Sequence, residues 1–574
     1  MSIILALRKT RAGSAGALKL LSVLAAVGLM GACLKKGPPE RGNRKTDAAP
    51  YTPARLHAKA DATARKPPAP RRGGAAVVHL DYEPPHLNLF LQEDFWISRL
   101  VLNHIQESLV RIDGRTGKLH PHLATAWDYS KDGLELTLNI RKDVTFHDGH
   151  PFDVDDVKFT FEVLMDPERS AAALGQDFAA VKSFKVRDGA FVLNLKRHDF
   201  KLLSSLAHLP ILPRNIYATT ADMKKNPASS KPVGTGPFQV SEWKRGQRLV
   251  FRRYSKHWGR GARLDRLVFK VVRDTTKALH LLKKGELDFI PRVPVHLVCG
   301  DGSRVKALVS RPTVRSIRTY PKRFHSIILN VKTPQLREVE VRRALARLTP
   351  RELIARSLLC QHARLITGPF WPDRPGYDPK LPQIKYSLKE ATRILKAAGW
   401  RDTDGDGVRD KGGHELKLTF LQIAESSLQR RLCPVLKDTY RRAGVQLDLV
   451  KVPFSRWLRL VRKHNFHMAD VVWSFFGAQD LYQHYHCSQA NGGSNYGSFC
   501  NPKVDTLLQT IRRTLDPKKR TALERKLHRR LYEALPAIYL FNTAQISLAR
   551  KRLRGCTPNS EGFPWSQMWI GGNR

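Results

Sequence analysis

The chain has 574 residues, too many for one hydrophobic core, and its hydrophobic fraction of 42% excludes a wholly disordered protein. Lysine and arginine number 99 against 51 aspartates and glutamates, which gives a formal charge of +48. The basic residues occur in short clusters along the whole chain rather than in one arm or stripe, so we interpret them as a solvated surface and predict no nucleic-acid partner. The alternative interpretation of these basic clusters is that they bind another anionic partner.

The amino terminus has the pattern of an export signal. Basic residues between 8 and 19 precede an apolar run at 20–32 that is too short for a membrane span. Residues 29–33 (LMGAC) resemble a bacterial lipobox, in which cleavage leaves a lipid-carrying cysteine at the amino terminus. Residues 1–33 are therefore predicted to be a lipoprotein signal peptide with Cys33 as the lipidation site, and ordinary secretion is the alternative. This places the protein in the cell envelope, on the periplasmic side, anchored to a membrane.

The segment after the signal changes composition twice. Residues 34–75 are rich in proline, alanine, lysine and arginine without apolar periodicity, which predicts a basic linker. An apolar, strand-like run at 75–78 marks the start of the folded body. Leucine and isoleucine alternate with polar residues over 134–140, which predicts a half-buried strand.

The last part of the chain has helical periodicity. Apolar residues at helical spacing predict helices over 504–515 and 523–535, separated by an Asp-Pro break at 516–517 that starts the second helix. Together with the strands, these helices indicate an α/β (mixed α+β) protein with more than one lobe.

Short segments of the body resemble, in the same order, the family 5 extracellular solute-binding proteins, the peptide- and nickel-binding subunits of ABC importers. The matching segments are 107–110 (ESLV), 119–127 (LHPHLATAW), 141–149 (RKDVTFHDG), 152–157 (FDVDDV), 234–238 (GTGPF), 284–288 (KGELD), 397–400 (AAGW) and 501–505 (NPKVD). Each segment alone is weak evidence, but so many in one order are strong evidence, and the resemblance covers roughly residues 76–574.

The resemblance implies a type II periplasmic-binding-protein clamshell with two lobes, the first of them enlarged. It places the chain crossings near Tyr320 and Tyr539, so that lobe I comprises 76–319 and 541–574 and lobe II comprises 320–540. It also implies that the lobes close on a peptide or another small polar ligand, and that the closed form docks on ABC permease and ATPase subunits.

Aromatic residues of lobe II are the main candidates for ligand contact. In peptide-binding members of the family two tryptophans line the cleft, and an aspartate shortly after the second pairs with the free amine of the ligand. Here Phe476 stands where that aspartate is expected, and Asp480 is either its substitute or the cap of the next segment. The complete set of predicted ligand-binding residues is Trp457, Trp473, Phe475, Phe476 and Asp480 from lobe II with Phe95 and Trp96 from lobe I.

An aspartate-rich segment is the strongest metal signal in the residues themselves. Asp402, Asp404, Asp406 and Asp410 occupy positions 1, 3, 5 and 9 of a pattern that resembles the first part of a calcium loop. The glutamate expected at position 12 is missing, because Gly413 stands there. A structural Ca²⁺ site and a metal-free polar turn are the two interpretations, and no cofactor is required for the predicted function.

Six cysteines remain besides the one in the lipobox, and fifteen pairings are open to them. Cys487 and Cys500 resemble a local disulfide of dipeptide-binding relatives. Two nearby histidines, His484 and His486, could contact nickel or haem as an alternative ligand. We favour the interpretation that both are surface or structural residues. No nucleophile with a base, zinc motif or phosphate loop is present, so the chain is predicted not to be an enzyme. The alternatives to peptide import are a metal-, haem- or other non-peptide-binding member of the family, and an envelope receptor without a transport role.

Overall fold

The computed structural model describes residues 69–571 apart from 93, 115, 170–171, 221, 300–302 and 476. The predicted signal peptide 1–33 with Cys33, and the predicted linker as far as residue 68, lie outside the described residues. Within the described part of the chain, no helix combines the length and the apolar character needed to cross a membrane.

A seven-stranded mixed sheet organises one half of the body. Its strands lie in the order Val314–Thr319, Gln545–Arg550, Phe289–Val293, Ala75–Leu80, Arg266–Val271, Arg248–Arg253 and Phe238–Lys244. The strand Ala75–Leu80 pairs in parallel with both of its neighbours, and a central strand of this kind must be covered on both faces. Ala76, Val78 and Leu80 are buried accordingly, in a core with Trp96 and Trp565.

A four-stranded antiparallel sheet extends this half. It consists of Ala124–Tyr129, Glu135–Ile140, Ala190–Leu195 and Val181–Arg187. Leu136, Leu138 and Ile140 are buried as the alternation predicts, which confirms the predicted strand, whereas Leu134 precedes it and is exposed. The helices of this half are Phe95–Val101, Val154–Met165, Ala172–Gln176, Leu202–Leu206, Arg214–Tyr217, Thr275–Lys284, Val295–Val298 and Ser303–Val309. We call the described residues up to 319 and from 545 onward the seven-stranded half.

A six-stranded sheet organises the other half, which comprises residues 323–543. Its strands lie in the order Ala363–Leu365, Ala537–Thr543, Arg323–Leu329, Met468–Ser474, Lys417–Ile423 and Gln446–Val452. Separate apolar cores cover its two faces. The helices of this six-stranded half are Pro334–Arg337, Val339–Leu348, Arg351–Leu353, Leu388–Ala397, Ser427–Arg441, Phe454–Arg462, Tyr482–Tyr485, Pro502–Arg513 and Pro517–Ala534.

The last two helices follow the predicted pattern closely. Pro502–Arg513 and Pro517–Ala534 bury their apolar stripes, and the side chain of Asp516 accepts the amide of Lys519 at the start of the second helix. Each helix begins with proline, which lacks the amide hydrogen that a first turn leaves unpaired. The two predicted helices and the Asp-Pro break between them are therefore confirmed.

The chain passes between the two sheets twice. Residues 320–322 connect Val314–Thr319 to Arg323–Leu329, and Ala544 connects Ala537–Thr543 to Gln545–Arg550. Two short, adjacent crossings are the arrangement expected of a hinge. The lobe boundary predicted between residues 540 and 541 falls inside a strand, and the return to the first sheet occurs at Ala544.

A buried carboxylate connects three of the motif segments, 107–110, 119–127 and 234–238, in the seven-stranded half. Glu107 is 2% exposed, and its Oε2 accepts the hydroxyl of Thr235 at 2.9 Å and the indole N–H of Trp258 at 2.8 Å. Its Oε1 lies 3.1 Å from Nε2 of His257 and 3.3 Å from Nε2 of His122. Burial opposes ionisation, but the hydrogen bond from His257 and the other donors outweigh it and lower the pKa of Glu107.

Two glycines allow these segments to approach so closely. A Cβ on Gly234 would collide with the carbonyl of Ile105, and one on Gly236 would lie 2.6 Å from the carbonyl oxygen of His104. The Gly-Thr-Gly motif therefore brings Thr235 next to Glu107 by removing the side chains that would separate the two backbones.

Four cysteines form two disulfides. Cys487 pairs with Cys500, and Cys299 of the seven-stranded half pairs with Cys360 of the six-stranded half. The Cα atoms of the second pair are 5.6 Å apart, although the residues are separated by 61 positions in the chain. Cys433 and Cys556 are buried with free thiols.

One carboxyl group in the six-stranded half is buried without full hydrogen bonding. Asp470 is 4% exposed; its Oδ2 accepts from Nε2 of Gln429 at 3.0 Å, while its Oδ1 has no hydrogen-bond partner among the described residues. Burial raises the pKa of Asp470 to about 6 in spite of the bond from Gln429. The ionised form is therefore unfavourable in the folded protein.

Replacing Asp470 by asparagine should stabilise the protein. The amide keeps an acceptor for Gln429 and removes the buried charge, so we expect a gain of about 1–3 kcal/mol in the free energy of unfolding at pH 8. Because the pKa is raised from 3.8 to about 6, the gain should be full above that value and disappear as the pH falls towards 3.8. Urea unfolding from pH 4 to 8 measures it. The control Asp438→Asn, at an exposed carboxylate, should change little, and a destabilised D470N variant at pH 8 would contradict the prediction.

Candidate functional site

The loop after strand Met468–Ser474 reaches across to the seven-stranded half. Gly477 adopts a positive φ of 62°, and a Cβ there would lie 3.1 Å from Cε1 of His208 and 3.3 Å from Cβ of Ser204. Nearby, the amide of Phe200 donates to the carbonyl of Arg512 at 3.1 Å. The two halves therefore touch along one side of the space between them.

Glu561 joins the partners of this contact. Its Oε2 lies 2.9 Å from Nε2 of His208, and its Oε1 accepts from Nζ of Lys322 at 2.8 Å. Lys322, in the first crossing segment, also donates to the carbonyl oxygen of Gly477 at 3.1 Å. One carboxylate thus connects a side chain of the seven-stranded half to the crossing segment and, through it, to the loop of the six-stranded half.

The charges of this bridge are matched. Burial opposes ionisation of Glu561, but the bonds from His208 and Lys322 outweigh it and lower its pKa to about 2. Nδ1 of His208 lies 2.7 Å from the carbonyl oxygen of Ser204. Its two ring nitrogens thus each lie within hydrogen-bond distance of an oxygen atom, one of Ser204 and one of Glu561.

A cleft lies beside the bridge. Residues of the seven-stranded half line most of it, and Ala478 of the six-stranded half completes the lining. Leu89, Leu102 and Leu174 form part of its apolar lining, and its charged groups are Arg99, Asp177, Lys201, His208 and Glu561. Charged groups beside an apolar lining are the composition with which a cleft can hold a polar ligand.

The structure separates the two candidates of the first lobe. Trp96 is 1% exposed in the aromatic core, and its indole N–H donates to Asp81 at 2.7 Å. Phe95 is half-buried, with the guanidinium carbons of Arg99 and Arg292 at 3.9 and 4.5 Å from its ring centroid. Phe95 therefore lies near the cleft, through its contact with Arg99, whereas Trp96 is a core residue whose ring packs against that of Phe95.

The aromatic candidates of the six-stranded half separate in the same way. Trp473 is half-buried, with its ring centroid 4.2 Å from that of His484 and 5.8 Å from that of Tyr496. Phe475 stacks on Phe324 at 6.0 Å. Trp457 is 3% exposed inside an apolar core. The structure brings Trp473 and Phe475 to the start of the cleft loop and does not bring Trp457 there.

The carboxylate of Asp480 is already occupied. Its Oδ2 accepts Nε and Nη2 of Arg512 at 2.7 and 2.5 Å, and its Oδ1 accepts the amide of Tyr482 at 3.0 Å. Burial would raise its pKa, but Arg512 outweighs burial and lowers it. The carboxylate of Asp480 thus accepts hydrogen bonds both from Arg512 and from the amide of Tyr482, the first residue of helix Tyr482–Tyr485. Phe476 lies outside the described residues.

The aspartate-rich loop is an exposed turn. Carboxylate oxygens of Asp402, Asp404 and Asp406 lie within 4.8 Å of one another. Asp402 accepts the amides of Gly405 and Gly407, as the polar-turn interpretation requires. The side chain of Asp410 accepts instead from Thr403. Binding of Ca²⁺ stays a prediction, with three of the four carboxylates grouped.

Glu561, His208, Lys322 and Arg99 are not among the site residues predicted from the sequence. His208 and Glu561 are 353 positions apart, so no local pattern connects them. The sequence does contain one indication of these residues. Two adjacent basic residues, Lys322 and Arg323, directly follow the crossing predicted near Tyr320. Charged side chains at a hinge are placed to contact both halves.

Comparison with known proteins identifies related chains. A family model described as bacterial extracellular solute-binding proteins, family 5 Middle, matches residues 118–495. The oligopeptide-binding protein AppA of Bacillus subtilis (strain 168) is 26% identical over 486 residues, which cover 82% of this chain and 87% of the relative. The nickel-binding periplasmic protein of Escherichia coli (strain K12) is 24% identical over 450 residues, which cover 76% and 83%.

Solved structures resemble the body as a whole. NikA from Brucella suis in complex with Fe(III)-EDTA superposes with a TM-score of 0.76 at 20% identity, over 87% of this chain and 100% of that chain. At this identity the likeness concerns the fold alone. It confirms the predicted mixed α/β fold of the type II periplasmic-binding class.

Replacing Glu561 by glutamine should weaken the contact between the halves. The amide keeps the shape but loses the charge that His208 and Lys322 bind, so we expect a loss of about 1–3 kcal/mol in the free energy of unfolding at pH 7. Small-angle X-ray scattering should show a larger radius of gyration.

The pH dependence and a control sharpen this test. A depressed pKa stabilises the folded form above 4.5, and that stability is lost as the pH falls towards 2, so the difference between E561Q and wild type should shrink over this interval. Glu533→Gln removes an exposed carboxylate that pairs only locally with Arg530 and should have no effect. Unchanged stability and unchanged scattering in E561Q would refute the bridge.

Proposed function

Since the chain belongs to family 5 of the bacterial extracellular solute-binding proteins, we propose that it captures peptides or similar small polar solutes between two lobes. It then delivers them to the permease and ATPase subunits of an ABC importer. As a member of this family the chain is a binding protein and not an enzyme.

The observation that carries the proposal is the Glu561 bridge beside the cleft. Lys322 of the crossing segment, Gly477 of the six-stranded half and His208 of the seven-stranded half meet at or next to one carboxylate. Rotation about the two crossings opens or closes this contact together with the cleft. A ligand that touches both halves favours the closed form in proportion to its extra contacts there.

The proposed lobes follow the two sheets. Lobe I comprises 76–319 and 541–574, and lobe II comprises 320–540, with the second crossing at Ala544 as a refinement of that boundary. The four-stranded sheet accounts for the enlargement of lobe I.

The proposed location is the periplasmic side of the cell envelope. Cys33, after cleavage of the signal peptide 1–33, carries the lipid anchor, and the basic linker 34–75 tethers the body to the membrane. The support for the anchor is the lipobox-like sequence itself, and the support for the compartment is the extracellular character of the family.

A non-peptide ligand is the second candidate. Relatives include a nickel-binding protein and a structure that holds Fe(III)-EDTA. Asp480, the substitute considered for the amine-binding aspartate, is paired with Arg512, which favours a ligand that is not fixed by a free amine. An envelope receptor without transport is compatible with the same cleft. Neither peptide capture nor these alternatives require a cofactor.

Native mass spectrometry of the full chain, purified without an affinity tag, tests the proposal. We expect a set of short peptides at one per protein molecule, released when the chain is denatured. The E561Q variant should release less, because its closed form is weaker. A single non-peptide compound or a metal ion in place of peptides would refute peptide capture and support the second candidate.

A further inference from the structure

We propose that the disulfide between Cys299 and Cys360 is a third connection of the hinge and restricts the two halves to one opening motion. The disulfide joins the seven-stranded half to the six-stranded half. We call the disulfide, together with the segments 294–299 and 360–362 that carry it, the hinge strap. The inference goes beyond ligand capture, and it rests on the hinge motion of the proposed function.

The strands that meet at the hinge lie in matching order in the two sheets. At one edge of the seven-stranded sheet the order is Val314–Thr319, Gln545–Arg550 and Phe289–Val293. In the six-stranded sheet the corresponding order is Arg323–Leu329, Ala537–Thr543 and Ala363–Leu365. The chain crossings at 320–322 and Ala544 join the first and the second strands of these two series. The hinge strap joins the third strand of one series to the third strand of the other.

Both of these third strands have their connected ends at the hinge. Val293, the last residue of its strand, pairs with Ile546 just after the second crossing. Ala363, the first residue of its strand, pairs with Thr543 just before that crossing. The antiparallel pairing therefore places both strand ends next to Ala544, where the chain passes from one sheet to the other.

The seven-stranded half holds one end of the hinge strap in a buried position. Cys299 is 4% exposed, and its amide donates to the carbonyl oxygen of Val295 at 2.9 Å, at the end of helix Val295–Val298. Leu297 and Val298 pack against a core of the seven-stranded half, whereas Val295 packs against a core of the six-stranded half. The short helix before Cys299 therefore contacts both halves.

The six-stranded half holds the other end in a tight turn. Cys360 and Gln361 have φ angles of 47° and 61°, in the left-handed region that residues other than glycine rarely adopt. Such a conformation persists only where the surroundings determine it. The amide of Gln361 donates to the carbonyl oxygen of Ala355 at 2.9 Å. The carbonyl oxygen of His362 accepts the amide of Ala544 at 2.8 Å, so the turn is bound directly to the second crossing.

A row of three connections restricts motion more than a pair does. Neighbouring strands lie about 4.8 Å apart, so two crossings span about 5 Å and three connections span about 10 Å. Rotation about the row itself opens the halves and needs only small changes in the backbone angles of the connections. A twist about an axis across the row displaces its two ends in opposite directions, and a longer row opposes that twist with greater leverage. The hinge strap therefore leaves the opening motion free and restricts twist.

The opposite end of the row is the one next to the cleft. Lys322, in the first crossing, donates to Oε1 of Glu561 at 2.8 Å and to the carbonyl oxygen of Gly477 at 3.1 Å. The second crossing lies between this bridge and the hinge strap. A twist about the second crossing that separated the bridge would also move Cys299 away from Cys360, which the disulfide prevents. The bridge therefore separates by rotation about the row.

Small-angle X-ray scattering of the full-length protein without ligand tests the proposal. The variant is Cys299→Ser/Cys360→Ser, which removes the disulfide and leaves no unpaired thiol at either position. Because twist becomes possible, we expect a larger radius of gyration and a wider distribution of interatomic distances than in wild type. Native mass spectrometry of the same samples confirms that they carry no ligand.

The matched control is Cys487→Ser/Cys500→Ser. It removes the other disulfide, which lies wholly within the six-stranded half and joins residues 13 positions apart. Both double variants lose a covalent crosslink and should unfold more easily than wild type. The shape of the folded protein should change in C299S/C360S alone.

A reversible form of the test does not depend on the folding of C299S/C360S. In the C487S/C500S background, the Cys299–Cys360 disulfide is the one that remains in the part of the chain that the structure describes. A water-soluble phosphine reduces it to two thiols and becomes the phosphine oxide, whose oxygen comes from water. Reduction of the folded protein should increase the radius of gyration. Removal of the phosphine and oxidation with glutathione disulfide should restore the original value.

The outcomes distinguish this inference from the proposed function. An unchanged radius of gyration after both substitution and reduction would overturn the hinge strap and leave peptide capture intact. An equal expansion of C487S/C500S would overturn it as well, because the effect would then follow the loss of any crosslink. Peptide capture fails separately if native mass spectrometry of the purified protein releases no peptide. An expanded C299S/C360S variant would still support the hinge strap in that case.

Discussion

The architecture of the seven-stranded half depends on one buried negative charge. Glu107 receives donors from His122, Thr235, His257 and Trp258, which come from three other segments of the chain. Burying an unpaired carboxylate at 2% exposure would lower the free energy of unfolding by several kcal/mol. The donors around Glu107 compensate for this loss of hydration. This gives a physical role to three of the short segments that match in a fixed order. Segment 107–110 carries the carboxylate, and segments 119–127 and 234–238 each supply it with a donor.

The bridge at Glu561 uses the same chemistry for a different purpose. It is about one-fifth exposed rather than fully buried, and its partners belong to parts of the protein that would move relative to each other in the proposed hinge closure. A binding protein has to open again, so the contact between its halves must be weaker than the contacts that hold each half together. Partial exposure to water limits the strength of the ion pairs and leaves the balance to be decided by the ligand.

Regular elements were predictable from the sequence because their signals are local. The alternation over 134–140 and the helical spacing over 504–535 each reflect burial of one face, and the structure has those elements there. The site was not predictable in the same way. Nothing in the sequence distinguishes Trp457 from Trp473 as a ligand contact. In the structure Trp457 lies on helix Phe454–Arg462 and is buried in a core, whereas Trp473 lies near the end of strand Met468–Ser474, next to the loop that reaches the other half. Glu561 and His208 come together only through the fold.

The pairing of the cysteines has a consequence for how the chain matures. In the proposed export the polypeptide enters an oxidising compartment from its amino terminus, and the first two cysteines to emerge after Cys33 are Cys299 and Cys360, which form the native pair. The next cysteine to emerge is Cys433, and simple pairing in order of appearance would join it wrongly to Cys487. In the folded protein burial raises the pKa of the Cys433 thiol to about 12, which suppresses the reactive thiolate. Closure of the core around Cys433 before Cys487 arrives would therefore protect the native pairing, and the short separation of Cys487 and Cys500, 13 positions, favours their own pairing as well.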